Sequence, residues 1–313
     1  MSRTILVAGA TGNTGRNTVA RLSKLLANGA LPGHRVLALT RSSQSPAAQQ
    51  LSALPGVQVL EKNWPEITAA WLRDHQVVRA FIASHVGPRQ FPDESSFHLA
   101  ALHAGVQYVV RISTTAANVR PDCPAYYARQ HWAIETMLDT PEFAALQWTS
   151  LQPNTFTTFV LQPAVELIKQ YRETGKQDTL RLTASPDALV GVIDGDDVGA
   201  VAAHLLCQED PAPHNRARYV LNGPEDLTGE QIVKLVEGYI GTRVEKVVYK
   251  DMSFVDQWAA ADPGSASLTM SVKHAVEPGW EGKCSASTTS KEVLELCAPT
   301  RTPVDVLKKM LGE

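Results

Sequence analysis

VAGATGNTG, residues 7–15, decides the fold. It sets Gly9, Gly12 and Gly15 directly after a short apolar run at residues 5–8, at the head of a stretch patterned as a helix. Glycines at this spacing permit a tight strand-to-helix turn and close approach of the backbone to a diphosphate. The first-turn amides of the helix and the positive end of its dipole then face the phosphates. A glycine triplet alone is a weak signal, and the strand before it and helix after it supply the confirming context. Thr11, Asn13 and Thr14, between the glycines, are expected to share in holding a dinucleotide.

Outward from this turn, apolar runs recur at residues 36–39, 57–60, 77–83, 106–112 and 146–151. Each is rich in Val, Ile or Leu, as strands buried on both faces of a parallel sheet are. The intervals are long enough for the crossover helices that parallel neighbours need. The expectation is an α/β fold: a doubly wound parallel-sheet Rossmann domain with a smaller C-terminal α+β substrate lobe. Residues 1–155 form the nucleotide domain, completed by segments near 186–222, and residues 156–185 and 223–313 form the lobe. Strands are also expected at 189–193 and 218–221, with Asp196 and Asp197 capping the helix that follows. In LTGEQIVKLVEGYIG, Thr228 and Gln231 spell a capping box and Gly241 a C-terminal stop. The last sixty residues, with Pro263, Gly264, Pro278 and Gly279, read as long loops beside a cleft.

Of the 313 residues, 44% are hydrophobic and 19% charged, which suits a folded chain with a sizeable core. A net charge of −3 argues against a nucleic-acid partner. No apolar run reaches the ~18 residues of a membrane span, and a signal-peptide pattern is lacking. The four cysteines make no CxxC pair, so reduced thiols, no metal site and a cytoplasmic location are expected.

The second strand ends in LALTRSS. NAD-binding chains place Asp or Glu at this point to hold the ribose hydroxyls, whereas Arg accommodates a 2′-phosphate. Arg41, with Ser42 beside it, therefore favours NADP over NAD. Ser84 and His85 follow the fourth strand, at the expected cofactor edge. Ser113, Thr114 and Thr115 follow the fifth, where hydroxyls either orient a substrate carbonyl or close a turn. Tyr127, His131 and Glu135 stand at i, i+4, i+8, on one helical face.

GATGNTG, TRSS, VVRISTTAAN, ARQHWAIE, SLQPNTF, VIDGDDVGAV and YVLNGPEDLTGEQIV occur in an order and spacing that resemble the NmrA-like group of atypical short-chain dehydrogenases, which includes isoflavone-reductase-like enzymes. The resemblance spans roughly residues 3–248. It implies NADP(H) across the strand ends and a substrate cleft between the lobes. Short-chain dehydrogenases generally use Ser, Tyr and Lys, the last two as Tyr-x-x-x-Lys. Here Gln130 and His131 stand four residues after Tyr126 and Tyr127, so the Tyr–Lys pair is missing. The group instead carries Lys or His four residues before Glu, which His131 and Glu135 match; this implies a His131 that binds the nicotinamide ribose or acts as an acid. Pro153, Asn154 and Phe156 match the segment that packs against the nicotinamide.

Together these readings lead to an NADP(H)-dependent reductase that transfers hydride to an activated double bond (enone, quinone or iminium) of a small, largely apolar substrate. His131, Tyr127 and Thr114 are its candidate catalytic residues. The alternatives are a non-catalytic NADP-sensing regulator that binds a protein partner, and an isomerase or lyase with structural NADP. A closed apolar pocket at the nicotinamide favours an enzyme; an open or filled cleft beside an exposed apolar patch favours the regulator.

Overall fold

A computed structural model describes residues 3–313. The glycine turn joins β1 (Arg3–Ala8) to α1 (Asn13–Ala27). The chain then alternates through β2 (His34–Thr40), α2 (Pro46–Ser52), β3 (Val57–Glu61), α3 (Ala69–Asp74), β4 (Val77–Ile82), α4 (Gln90–Ala104), β5 (Tyr108–Ile112), α5 (Tyr126–Leu138) and β6 (Gln147–Pro153). Local chemistry sets several of these ends. Ser45 accepts from the Ala48 amide to cap α2, Thr68 accepts from Trp71 to cap α3, and Gly105, at φ +77°, closes α4.

After β6 come α6 (Thr157–Thr174), β7 (Leu180–Arg181), α7 (Gly195–Leu206), β8 (Ala217–Leu221), α8 (Gly229–Ile240) and β9 (Val247–Val248). The chain ends in α9 (Phe254–Ala261), α10 (Ala266–Ser271), α11 (Glu277–Trp280), α12 (Lys291–Cys297) and α13 (Pro303–Leu311). The seven-stranded sheet has the order β3-β2-β1-β4-β5-β6-β8, and all its pairs are parallel. The order reverses between β1 and β4. Loops at the carboxyl ends of those two strands therefore part in opposite directions and leave a crevice, the place where doubly wound sheets bind ligands.

Alternate residues of each strand feed opposite faces. Ile5, Val7, Val36, Phe81 and Val110 pack with Val19 and Leu22 of α1 and Val198 and Val201 of α7. Leu6, Leu37, Ile82 and Val109 pack with Phe97 of α4 and Ile134 and Leu138 of α5. A separate core joins Val160, Leu161 and Ile168 of α6 to Ile232 and Val236 of α8 and Leu307 of α13, with the short β7–β9 pair at its edge. Within it the Thr228–Gln231 capping box and the Gly241 stop are both formed.

Three expectations need correction. Residues 189–193 are no strand: they make only the isolated bridges Val190–Leu227 and Phe156–Ile193, since the segment touches two different partners without running alongside either. Asp194, not Asp196 or Asp197, caps α7, accepting from the Asp196 amide at 2.8 Å. Asp197 instead accepts the Arg301 amide at 2.9 Å, and Asp196 pairs with Lys309 at 3.1 Å, tying the C-terminal segment to α7. The last sixty residues are short helices rather than long loops, and α12 returns to the main core through Val293. Among the described residues no helix is long and apolar enough to cross a membrane.

Candidate functional site

Gly9 stands at φ +81°, and a Cβ there would lie 2.9 Å from the Ala83 carbonyl oxygen. The β1 turn is therefore pressed against the end of β4. Gly15 sits tighter still, with a virtual Cβ 2.1 Å from the Gly9 oxygen. Gly12 precedes α1 without a side-chain cap, so the first-turn amides of Asn13, Thr14 and Gly15 have no intrahelical acceptor. The turn is thus a cradle of free N–H groups held open by glycine, and it fits a diphosphate. The Asn13 side chain packs against Gly195 at the start of α7. Arg41, at the end of β2, is exposed and has no hydrogen-bonding partner among the described residues, which leaves its guanidinium available to a 2′-phosphate. Ser42 beside it is exposed, with its backbone held by Thr40: its amide donates to Thr40 Oγ1 at 3.2 Å and its carbonyl accepts from that hydroxyl.

Beside this turn lies a cavity of about 820 Å3. Ser84, His85, Thr114, Tyr127, His131, Pro153, Asn154 and Phe156, gathered from the ends of three strands and from α5, all line it. Its far wall comes from residues 252–276 and is mainly apolar, with Met252, Trp258, Leu268, Val272 and Val276. A second groove of about 870 Å3 runs along α6 and α9 and shares only Phe159 and Trp258 with the first. It holds none of the strand-end residues.

The chemistry of the cavity rests on hydroxyls. Thr114 Oγ1 donates to Tyr127 Oη at 3.2 Å. Burial raises the Tyr127 phenol above its usual range, partly offset by that bond, so the phenol keeps its proton at neutral pH. Ser113, 5% exposed, belongs to the wall of the cavity, but its hydroxyl is sealed from solvent and has no hydrogen-bond partner among the described residues.

Several expected residues are already engaged. Ser84 Oγ donates to Glu94 at 2.7 Å, and His85 packs edge-on against Trp64. Asn154 donates to the Cys284 carbonyl at 2.9 Å and accepts from the Thr155 amide at 2.8 Å, which fixes the backbone leading to Phe156. His131 is 4% exposed: Arg111 Nη2 donates to its Nδ1 at 2.8 Å, and the Gln90 amide lies 2.9 Å from its Nε2. Burial first, then the Arg111 charge, push its pKa down to about 3. The imidazole is neutral at pH 7, which disfavours it as the acid.

Behind His131 runs a buried ionic lattice. Arg111, fully buried on β5, reaches Glu94 at 2.6 Å, Ser150 at 2.8 Å and Glu135 at 3.3 Å. Glu135 also accepts from Ser150, Gln152 and Arg218. Glu94 and His98 pair at 3.4 Å, and the Arg111 charge holds the Glu94 carboxyl far below the usual range against its burial. Arg111 escaped the motif reading, yet it is the single charged residue in the apolar stretch YVVRI, and that signal was available.

The profile of the NmrA-like family matches residues 1–289. An uncharacterized oxidoreductase, YesF, of Bacillus subtilis is 28% identical over 244 residues, 78% of this chain and 73% of that protein. A (4-alkanoyl-5-oxo-2,5-dihydrofuran-3-yl)methyl phosphate reductase of Streptomyces griseus is 28% identical over 72% of this chain and 70% of its own length. Among solved structures, an NADPH-dependent quinone oxidoreductase from Escherichia coli in complex with NADPH superposes with a TM-score of 0.72. It is 21% identical and covers 98% of this chain and 99% of its own.

Proposed function

The chain belongs to the NmrA-like family, and from that premise we propose that it is an NADPH-dependent reductase of activated carbon–carbon, quinone or iminium double bonds in small, largely apolar substrates. The names of the relatives, an oxidoreductase, a (dihydrofuranyl)methyl phosphate reductase and a quinone oxidoreductase, support reduction as the reaction class. The carrying observation is the convergence of Thr114 and Tyr127 in one largely apolar cavity whose wall starts at Ser84, next to the Ala83 carbonyl against which Gly9 is pressed.

Gly9, Thr11, Gly12, Asn13, Thr14 and Gly15 would hold the diphosphate, and Arg41 the 2′-phosphate. NADPH, when bound, supplies the hydride. Tyr127 Oη, which accepts from Thr114 and so keeps its own hydrogen to donate, offers a hydrogen bond to the enone or quinone oxygen on which negative charge builds; an iminium cation becomes a neutral amine and needs no such donor. Tyr127 lacks the Lys that would lower its pKa, so it is a better hydrogen-bond donor than proton source. Activated double bonds suit such a site, because their reduced forms tolerate late protonation from water; a simple ketone does not. The walls favour neutral, apolar substrates: the charged lining residues are Arg89, already paired with Asp93 at 2.9 Å, and Asp262.

The partly enclosed cavity supports an enzyme over a regulator that lacks turnover. Stopped-flow oxidation of NADPH against a panel of enones, quinones and iminium cations tests the proposal. Turnover with at least one class, slowed at least about tenfold in Tyr127→Phe, is the expected result. Tight NADPH binding with no oxidation by any class would overturn it.

A further inference from the structure

We infer that Arg111 is a positioning residue of the site: it holds the His131 imidazole in the tautomer that carries its proton on Nε2, so that His131 is a fixed strut and Tyr127 is left as the hydroxyl that serves the substrate. A neutral imidazole has one donor and one acceptor nitrogen, whereas a guanidinium has donors only. Arg111 Nη2 stands 2.8 Å from Nδ1, so Nδ1 is the acceptor and Nε2 bears the hydrogen. The Gln90 amide nitrogen is placed 2.9 Å from Nε2, where a donor cannot face an N–H; turning that amide end for end brings its oxygen, buried and without a partner among the described residues, onto the hydrogen.

Arg111 has no freedom to withdraw. Its Nε is held by Glu94 at 2.6 Å and its Nη1 by Ser150 at 2.8 Å, so the guanidinium plane is fixed from α4 and β6 while Nη2 faces His131. The charged and titratable groups that act on the ring are Arg111 from β5, Glu94 from α4 and the edge-on Tyr127 from α5 itself, with His98 behind Glu94 and Glu135 behind Arg111. A second proton would have to sit on Nδ1, pointing into a guanidinium. Both ring nitrogens are thus spent on protein partners, and the strut ties α5 to β5 and to the start of α4. This role bears on the proposed reductase but does not depend on turnover.

The test is nitrogen NMR of histidine-labelled protein without cofactor, with the His131 signals assigned by their loss in His131→Asn. The expected result is an Nε2–H pattern that stays unchanged from about pH 5.5 to about pH 8, a range in which a free histidine titrates. An Nδ1–H pattern, or titration near the usual histidine midpoint, would overturn the inference. In Arg111→Lys, which keeps the charge but loses the planar fork, His131 is expected to exchange between tautomers or begin to titrate. A folded Arg111→Lys protein with the wild-type His131 signature would also overturn it. Should that variant fail to fold, the wild-type spectrum alone decides. A silent NADPH-oxidation assay would count against the reductase proposal and leave the tautomer result standing.

Discussion

Gly15→Ala isolates the diphosphate cradle from every other part of the molecule. The added methyl would lie 2.1 Å from the Gly9 oxygen, 2.8 Å from the Gly9 carbonyl carbon and 3.0 Å from Ala10 Cα. Ordinary contact begins at 3.4 Å, so the first of these is about 1.3 Å too close. All three obstacles are backbone, and none can rotate away. Relief requires the β1 turn and the first turn of α1 to separate by about 1 Å, a strain of roughly 1–3 kcal/mol on the scale of over-packed interiors. Helix preference acts the other way, since alanine within a helix is better than glycine by roughly 0.5–1 kcal/mol. Steric strain wins, for a net loss of about 1–2 kcal/mol and a melting point lower by a few degrees. The same shift takes the Asn13, Thr14 and Gly15 amides out of alignment. Hydrogen bonds to a charged group are worth about 1.5–3 kcal/mol, so NADPH affinity should fall about 10- to 100-fold. Calorimetric titration of NADPH into wild type and variant reads the affinity, and a thermal melt reads the strain. A variant that melts at or above wild type and binds NADPH equally well would refute both the steric reasoning and the assignment of the cradle.

Arg41→Ala should weaken NADPH about 10- to 100-fold and leave NADH unchanged, as paired titrations would read; equal losses for both would deny a 2′-phosphate role. Tyr127→Phe should lower kcat at least about tenfold while NADPH affinity stays within about twofold, and an unaltered kcat in single-turnover kinetics would remove Tyr127 from the chemistry. Stability should fall in acid: His131, depressed to about 3 in the fold, takes up a proton more readily in the unfolded chain, where the usual value is about 6.5. Its contribution is complete above about pH 6.5 and is lost as pH falls towards 3, at up to about 1.4 kcal/mol per pH unit; His98 and Glu94, both depressed, act in the same direction, and urea unfolding across that range should show a shallower slope in His131→Gln.

The fold was legible where local rules and long-range packing agree. The glycine turn, the six apolar runs and the Thr228–Gln231 capping box each state in a few neighbouring residues what the whole structure then needs. Residues 189–193 show the opposite case. VGVI is apolar enough for a strand, yet it is buried between Leu227 on one side and Phe156 on the other, and burial alone does not make a ladder. The Asp194 cap was missed for a related reason: three acidic residues crowd the start of α7, and only the positions of Arg301 and Lys309, more than a hundred residues later, separate the cap from the tertiary anchors.

The site was legible as a set of positions but not as a set of roles. Ser84, His85, Thr114, Tyr127, His131 and Phe156 line one cavity, because parallel topology fixes where carboxyl ends lie. Topology cannot say which side chains are free. Ser113 and Thr114 are neighbours of similar chemistry, yet Thr114 is bonded to Tyr127 and Ser113 is the orphan. His131 has the sequence position of an acid and the surroundings of a strut, and Arg111 is what separates the two. An ionised residue within a fully buried strand must find counter-charges on neighbouring elements, and here they come from α4 and α5, which flank the cavity. The lone Arg in YVVRI therefore carries information about the site although it does not line it. Its partners had to be buried carboxylates, and any histidine within reach of its last donor had to turn an unprotonated nitrogen toward it.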